Sequence, residues 1–315
     1  MQTKQTQLTT PVACFIFNRP KLTEMVFAAI AAAKPRKLMV VADGPRYPEE
    51  TEACRETRAV VERIDWECDL RIDAADTNMG CKQRISSGLD WVFSEVDEAI
   101  ILEDDCLPAP SFFYFCETLL VRYRRDERVM MISGDNFQHG QQRTAHSYYF
   151  SKYTSIWGWA TWRRAWKHYD VNMTSWPEFK QSGLLRGVCE DPDERAYWTR
   201  LFDLTHAGAI DTWDYQWCYA CWSQGSLAIL PNCNLVSNIG FGERATHVFD
   251  GAGRAALPVE NIWAIEDPPF VVQDREADLY TFEYLLGGRK TKQSSRPLSQ
   301  AWTSLASMRK KFAIR

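Results

Sequence analysis

Ala99-Ile100-Ile101-Leu102-Glu103-Asp104-Asp105 is the stretch on which the fold turns. Its apolar residues suit a short buried strand, and three carboxylates follow them without a break. In open α/β sheets, ligands bind just beyond the carboxyl ends of the strands. Adjacent carboxylates repel one another, so three together at such a place cost stability unless a cation compensates. Mg²⁺ and Mn²⁺ take one or two carboxylates and complete their shell with water and substrate phosphate oxygens. The bland alternative, a helix cap at Asp104 or Asp105 with solvated neighbours, is weakened by the buried strand that precedes them.

Working outward, strand and helix signals alternate, as in an α/β sheet with crossover helices. Towards the N-terminus, 82–96 has a helical apolar face of Ile85, Leu89, Val92 and Phe93. Strands are expected at 12–17, 37–42 and 68–72, and helices at 22–33 and 51–63. Asp43-Gly44-Pro45 is a strong turn signal after the second strand. Beyond the acids, Ser111 is expected to cap an aromatic-rich helix, and 129–133 forms another strand. Right-handed βαβ steps join these elements.

Composition then changes. Nine of the thirteen tryptophans lie between Trp157 and Trp222. Trp159, Trp162 and Trp166 have the spacing of a helical core stripe, though a tryptophan face can also meet a sugar ring, and Trp159 is the candidate for that. The division that follows is 1–135 for a nucleotide-sugar-binding half, 136–265 for an acceptor-binding and catalytic half of the same domain, and 266–315 for a tail.

The segment Ile101 to Phe115, with Glu103-Asp104-Asp105 followed by proline and an aromatic helix, resembles the metal-binding segment of the Golgi N-acetylglucosaminyltransferase I family. Further patches, over roughly 12–250, are similar in order. Phe17-Asn18-Arg19 resembles that family's donor-contacting arginine segment, and Val41 to Gly44 resembles the strand whose aspartate holds uracil. Ile156-Trp157-Gly158-Trp159 is similar to its acceptor segment, Trp213-Asp214 to the stretch with its catalytic base, and Ser237 to Gly242 to its closing loop. The resemblance implies a GT-A-like α/β fold with a mixed central sheet and helices on both faces. It further implies a nucleotide-sugar donor, UDP-sugar favoured, a divalent metal and inverting transfer to a hydroxyl acceptor. The chain lacks the membrane anchor and stem of the Golgi enzymes, so it looks more like a bacterial relative.

Chemistry assigns roles within that frame. Asp214, set among Trp213, Tyr215 and Trp217, suits a base whose pKa is raised by apolar surroundings; Asp211 is its rival, and either could instead cap the following helix. Asp105 is expected to bind the metal directly, with Glu103 and Asp104 placing waters or ribose hydroxyls. Asp43 would accept from the base edge, and Arg19 would stack on the base or pair with phosphate. Arg84 could reach donor phosphate or ribose. His247 could complete the metal site or touch the diphosphate, and Gly240 and Gly242 would let their loop close over the donor.

Two other functions compete. A sugar-1-phosphate nucleotidyltransferase normally carries a glycine-rich loop after its first strand, where this chain has Asn18-Arg19-Pro20. An inactive sugar-binding scaffold would have no use for an intact acidic cluster and Asp214. The net charge of −4 argues against nucleic acid as a partner. No apolar run approaches the roughly 18 residues that span a bilayer, so a cytoplasmic location is expected. From Arg289 onward there are eight Lys or Arg and no acid, with Leu298, Trp302, Leu305, Met308 and Phe312 at helical spacing. Such a tail would lie on an anionic membrane surface, suiting a lipid-linked acceptor or surface-glycan synthesis, or dock on the protein's own core. The ten cysteines show no disulfide spacing, and Cys218 and Cys221 read as apolar helix positions.

Overall fold

A computed structural model describes residues 7–240 and 256–286. The first half contains β1 (Val12–Ile16), α1 (Pro20–Ala33), β2 (Lys37–Ala42), α2 (Thr51–Val61), β3 (Asp69–Ala74), α3 (Cys81–Glu95) and β4 (Glu98–Glu103). Then follow β5 (Cys106–Pro108), α4 (Pro110–Tyr123), β6 (Val129–Ser133), β7 (Tyr148–Ser151) and β8 (Trp159–Trp162). A helical region comes next, with α5 (Arg163–Trp166), α6 (Trp176–Gln181), α7 (Leu185–Val188), α8 (Pro192–His206) and α9 (Asp214–Ser223). The described chain ends through β9 (Leu227–Pro231), β10 (Val236–Asn238) and α10 (Arg275–Tyr280).

Eight strands form one mixed sheet in the order β3-β2-β1-β4-β8-β6-β9-β7. The first four are parallel; β8 runs antiparallel to both neighbours, and β7 antiparallel to β9. Both halves of the sequence thus contribute to one continuous sheet.

Alternation along the strands makes two cores. Ala13 and Phe15 join Ile85, Leu89 and Val92 of α3 and the tryptophans of α8 and α9 on one face. Val12, Cys14 and Ile16 join α1, α2 and α4 on the other. Helices therefore cover both faces, as expected. Among the described residues, no helix is long and apolar enough to cross a membrane.

Two local expectations change. Trp159 and Trp162 lie on a strand rather than a helix, and their spacing sends them to opposite faces, one into each core. Ser111 does not cap α4. Pro110 opens that helix after extended Ala109, and Ser111 instead accepts from the Ile262 amide at 2.9 Å. All ten cysteines are free, Cys218 and Cys221 being buried within α9.

Candidate active site

Parallel pairing of β1 with β4 sets Phe15 opposite Glu103, so both strands open into the same recess. The chain after β1 turns beside the carboxylates. The Phe17 amide donates to Asp104 Oδ2 at 3.1 Å. Arg19 Nη1 donates to Asp105 Oδ2 at 2.6 Å and to Asp104 Oδ1 at 3.3 Å. Pro20 starts α1 immediately, which fixes Arg19 at the N-cap and at the mouth of the recess.

Among the described residues one guanidinium thus pairs with two of the three carboxylates and acts on Glu103 through its charge alone. Glu103 accepts no hydrogen bond among the described residues. Burial raises its pKa above the ordinary value, and the charges of Asp105 and Asp104 raise it further against the opposing pull of Arg19. Burial pushes Asp104 up to about 7, with Arg19 again opposing. The cluster is short of positive charge among the described residues, and its donor atoms are all hard oxygens, a set that fits Mg²⁺ or Mn²⁺. Among the described residues, no three His, Cys, Asp or Glu side chains converge into a closed metal cage. A cation here would therefore draw remaining ligands from water or phosphate.

Asp43 ends β2 one strand away and is buried. Its Oδ1 accepts from the amides of Gly44 and Met79, both at 2.8 Å, and its Oδ2 accepts from Asn78 Nδ2 at 2.8 Å. It organises the 76–80 loop, and one lone pair of Oδ2 stays open to a ligand. Gly44 makes that fold possible, because a Cβ there would lie 2.5 Å from the Thr77 backbone.

Across the recess, Asp214 is the first residue of α9, with Trp213 rather than Asp211 at the N-cap. Thr212 Oγ1 donates to Asp214 Oδ1. Trp213 is buried and stacks on Trp159 at 5.8 Å, which anchors the helix start. The Asp214 charge contributes to the raised pKa of Glu103 and of Cys81, so it shares their electrostatic field. Asp211 is exposed and also acts on Cys81.

Two expected contacts are replaced. Arg84 is buried, with its guanidinium held by the Asp73 side chain at 2.7 Å and by the Asp73 carbonyl. It braces α3 against β3 instead of facing a ligand. Trp159 is 1 % exposed, its ring packed on Trp213 and Trp217, so no ring face is open to an acceptor. His247, Gly242 and the basic tail lie outside the described residues.

Sequence reasoning read Ser237 to Gly242 as a loop closing over the donor but missed the ribbon that β10 forms with β5. It pairs Asn238 with Cys106 and brings the Ile239 amide to the Asp105 carbonyl at 2.8 Å. A Cβ on Gly240 would fall 2.1 Å from Asp105 Oδ2, so any larger residue there would displace this carboxylate. The glycine of Asn238-Ile239-Gly240 was the available signal. Arg46, also missed, lies over the Phe17 ring at 5.2 Å and pairs with Glu50, which accepts from Asn18 at 3.0 Å.

No protein-family model and no curated protein matches the chain. Among solved structures it is similar to a UDP-glucose pyrophosphorylase complexed with UDP-glucose, at 9% identity and TM-score 0.30, over 50% of this chain and 79% of that one. It is also similar to a 4-diphosphocytidyl-2C-methyl-D-erythritol synthase from Anaerococcus prevotii, at 8% identity and TM-score 0.30, over 50% of this chain and 74% of that one. These likenesses are too loose to carry a substrate or a family across.

Proposed function

We propose that the chain is a divalent-metal-dependent, inverting glycosyltransferase that moves a sugar from a nucleoside-diphosphate donor, UDP favoured, to a hydroxyl of a glycan or lipid-linked acceptor. The observation that carries this reading is the carboxylate cluster at the end of β4, which among the described residues pairs with one arginine and shares its electrostatic field with Asp214. Asp105, with Glu103 and Asp104 behind it, would hold Mn²⁺ or Mg²⁺, whose charge neutralises the diphosphate. Arg19 presents a second positive charge to that leaving group, and Asp43 receives the base edge.

Asp214 takes the acceptor hydroxyl proton as the oxygen attacks the anomeric carbon. The bond from that carbon to the diphosphate oxygen breaks on the opposite side, and its electron pair leaves with the diphosphate. A carboxylate in partly apolar surroundings suits that proton transfer. The Phe17-Asn18-Arg19 turn offers no glycine-rich cradle for a triphosphate, which favours transfer over the synthesis of nucleotide sugars.

Thermal-shift titrations test the donor site: UDP, GDP, CDP and TDP, each with Mn²⁺ or EDTA, on wild type and Asp105→Ala. A ligand bound only by the native state raises Tm. Stabilisation by one diphosphate that requires both metal and Asp105 is expected. No shift with any of the four at millimolar concentration overturns the reading. Pyrophosphate release from a nucleoside triphosphate and a sugar 1-phosphate would instead identify the nucleotidyltransferase reaction.

A further inference from the structure

Trp213 occupies the N-cap of α9 and supplies no side-chain cap, which leaves Asp214 in the first turn of that helix. An aspartate so placed can be claimed by the helix's own amides, and a carboxylate spent on them is turned from a reacting hydroxyl. Thr212, two residues earlier and half-buried, competes for it: the Thr212 hydroxyl donates to Asp214 Oδ1. A β-branched side chain has few χ1 rotamers, so the backbone of Thr212 sets the direction of that donation. The Asp214 charge is felt at Glu103 of β4, at Cys81 of α3 and at Tyr169 between α5 and α6, so the carboxylate lies among those elements.

The backbone that aims Thr212 is held from two sides. Its carbonyl accepts from Nε2 of Gln216 at 2.6 Å, and Gln216 is buried within α9. The next carbonyl, that of Trp213, accepts from the Tyr169 hydroxyl at 3.3 Å. Tyr169 is fixed in turn, its ring stacked on Trp166 at 4.2 Å, and the Trp166 indole donates to Asp90 of α3 at 2.7 Å. With the Trp213 ring stacked on Trp159 of β8, the 212–214 turn is tied to α3, to α9 and to the sheet. Each of these ties grips a carbonyl or an indole. Thr212 carries their rigidity to the carboxylate itself.

We propose that Thr212 is a positioning residue for the transfer reaction, its hydroxyl holding the Asp214 carboxylate off the α9 amides and towards the acceptor hydroxyl. The role rests on the reading of Asp214 as the base. Three variants of the full chain test it: Thr212→Val keeps the branched shape and removes the donor, Thr212→Ser restores the donor, and Asp214→Asn removes the base. The first readout is UDP release from UDP-glucose and UDP-N-acetylglucosamine in Mn²⁺, with water as the accepting hydroxyl. Thr212→Val should lower kcat about ten- to a hundredfold while the donor KM stays within about twofold, and Thr212→Ser should return kcat to within about threefold of wild type. A purely structural role would instead move Tm and KM along with kcat. Crystal structures give a second readout, independent of turnover: Asp214 should leave its wild-type rotamer in Thr212→Val and keep it in Thr212→Ser. An unmoved Asp214 in Thr212→Val, an unchanged kcat, or an equal loss in the valine and serine variants would each overturn the proposal. Release abolished in Asp214→Asn but undiminished in Thr212→Val overturns the positioning role alone, whereas full release in Asp214→Asn overturns the base assignment and this role with it.

Discussion

The two sides of the sheet bury charge in opposite ways. Near β7, Lys152 lies buried beside Glu194 at 2.8 Å, donates to the Val188 carbonyl at 3.1 Å, and Glu194 also accepts from Tyr153. Lys152 also lies beside buried Asp278, but there the Ser151 hydroxyl, the Lys152 amide and the Gln273 side chain supply that carboxylate with donors, and the group locks α8 to the sheet. At the tip of β4, three carboxylates share Arg19, and two of them are held at raised pKa. Burial alone therefore does not mark a site. Uncompensated sign does, because the fold retains a repulsion that only a ligand relieves.

The contrast can be broken most sharply at Asp105. Asp105→Ala should reduce transfer about 10³-fold, near the loss from removing one electrostatic stabiliser of a transition state, with Tm little changed in the absence of metal. Lys152→Met should do the reverse, costing about 3–5 kcal/mol of stability by leaving Glu194 buried without its partner while metal-dependent nucleotide binding survives. Steady-state kinetics and denaturant unfolding separate the two. Loss of nucleotide binding in both variants would show that the regions are not distinct.

Trp159→Ala tests the aromatic side from within. Its ring is 1 % exposed, so about 3–5 kcal/mol should be lost in urea unfolding. Trp263→Ala, at 61 % exposure, should stay within about 0.5 kcal/mol.

Gly240→Ala should act on the acidic side alone. Its new methyl meets Asp105, at an overpacking cost of about 1–3 kcal/mol, read as a loss of about five- to a hundredfold in Mn²⁺-dependent nucleotide affinity. Unchanged affinity would mean that the segment moves away without penalty.

The last effect is one of pH. A carboxyl with a raised folded pKa holds its proton while the unfolded chain releases it, so stability falls as pH rises from the ordinary carboxylate range towards the folded value. Glu103→Gln removes that slope. The variant should match wild type near pH 4 and become the more stable of the two by pH 8, in metal-free unfolding experiments. A constant difference across that range would deny Glu103 its protonated state.

The first four strands and β6 were legible because apolar runs such as Val129–Ser133 are bounded by turn residues, whereas the short strands β5, β7, β8 and β10 were not. The clustering of Arg19 with Asp104 and Asp105 was legible only in part. The carboxyl end of a strand locates ligands in general, but which residues converge there depends on β1 lying next to β4. Arg84 misled because helix position does not reveal that Asp73 will claim the guanidinium. Trp159 misled because three-residue spacing fits a helix face, whereas on β8 it sends Trp159 and Trp162 to opposite cores.

The ribbon of β5 and β10 also governs the order in which the molecule comes into being. Ser237 pairs with Leu107, 130 positions away (237 against 107). Such non-local pairings form late, after the entropy of closing a long loop has been overcome. A growing chain therefore exhibits its acids first, and receives the segment that encloses Asp105 only when about three-quarters of its 315 residues have been made. The enclosure of Asp105 is thus withheld from any precursor that has not yet reached Asn238.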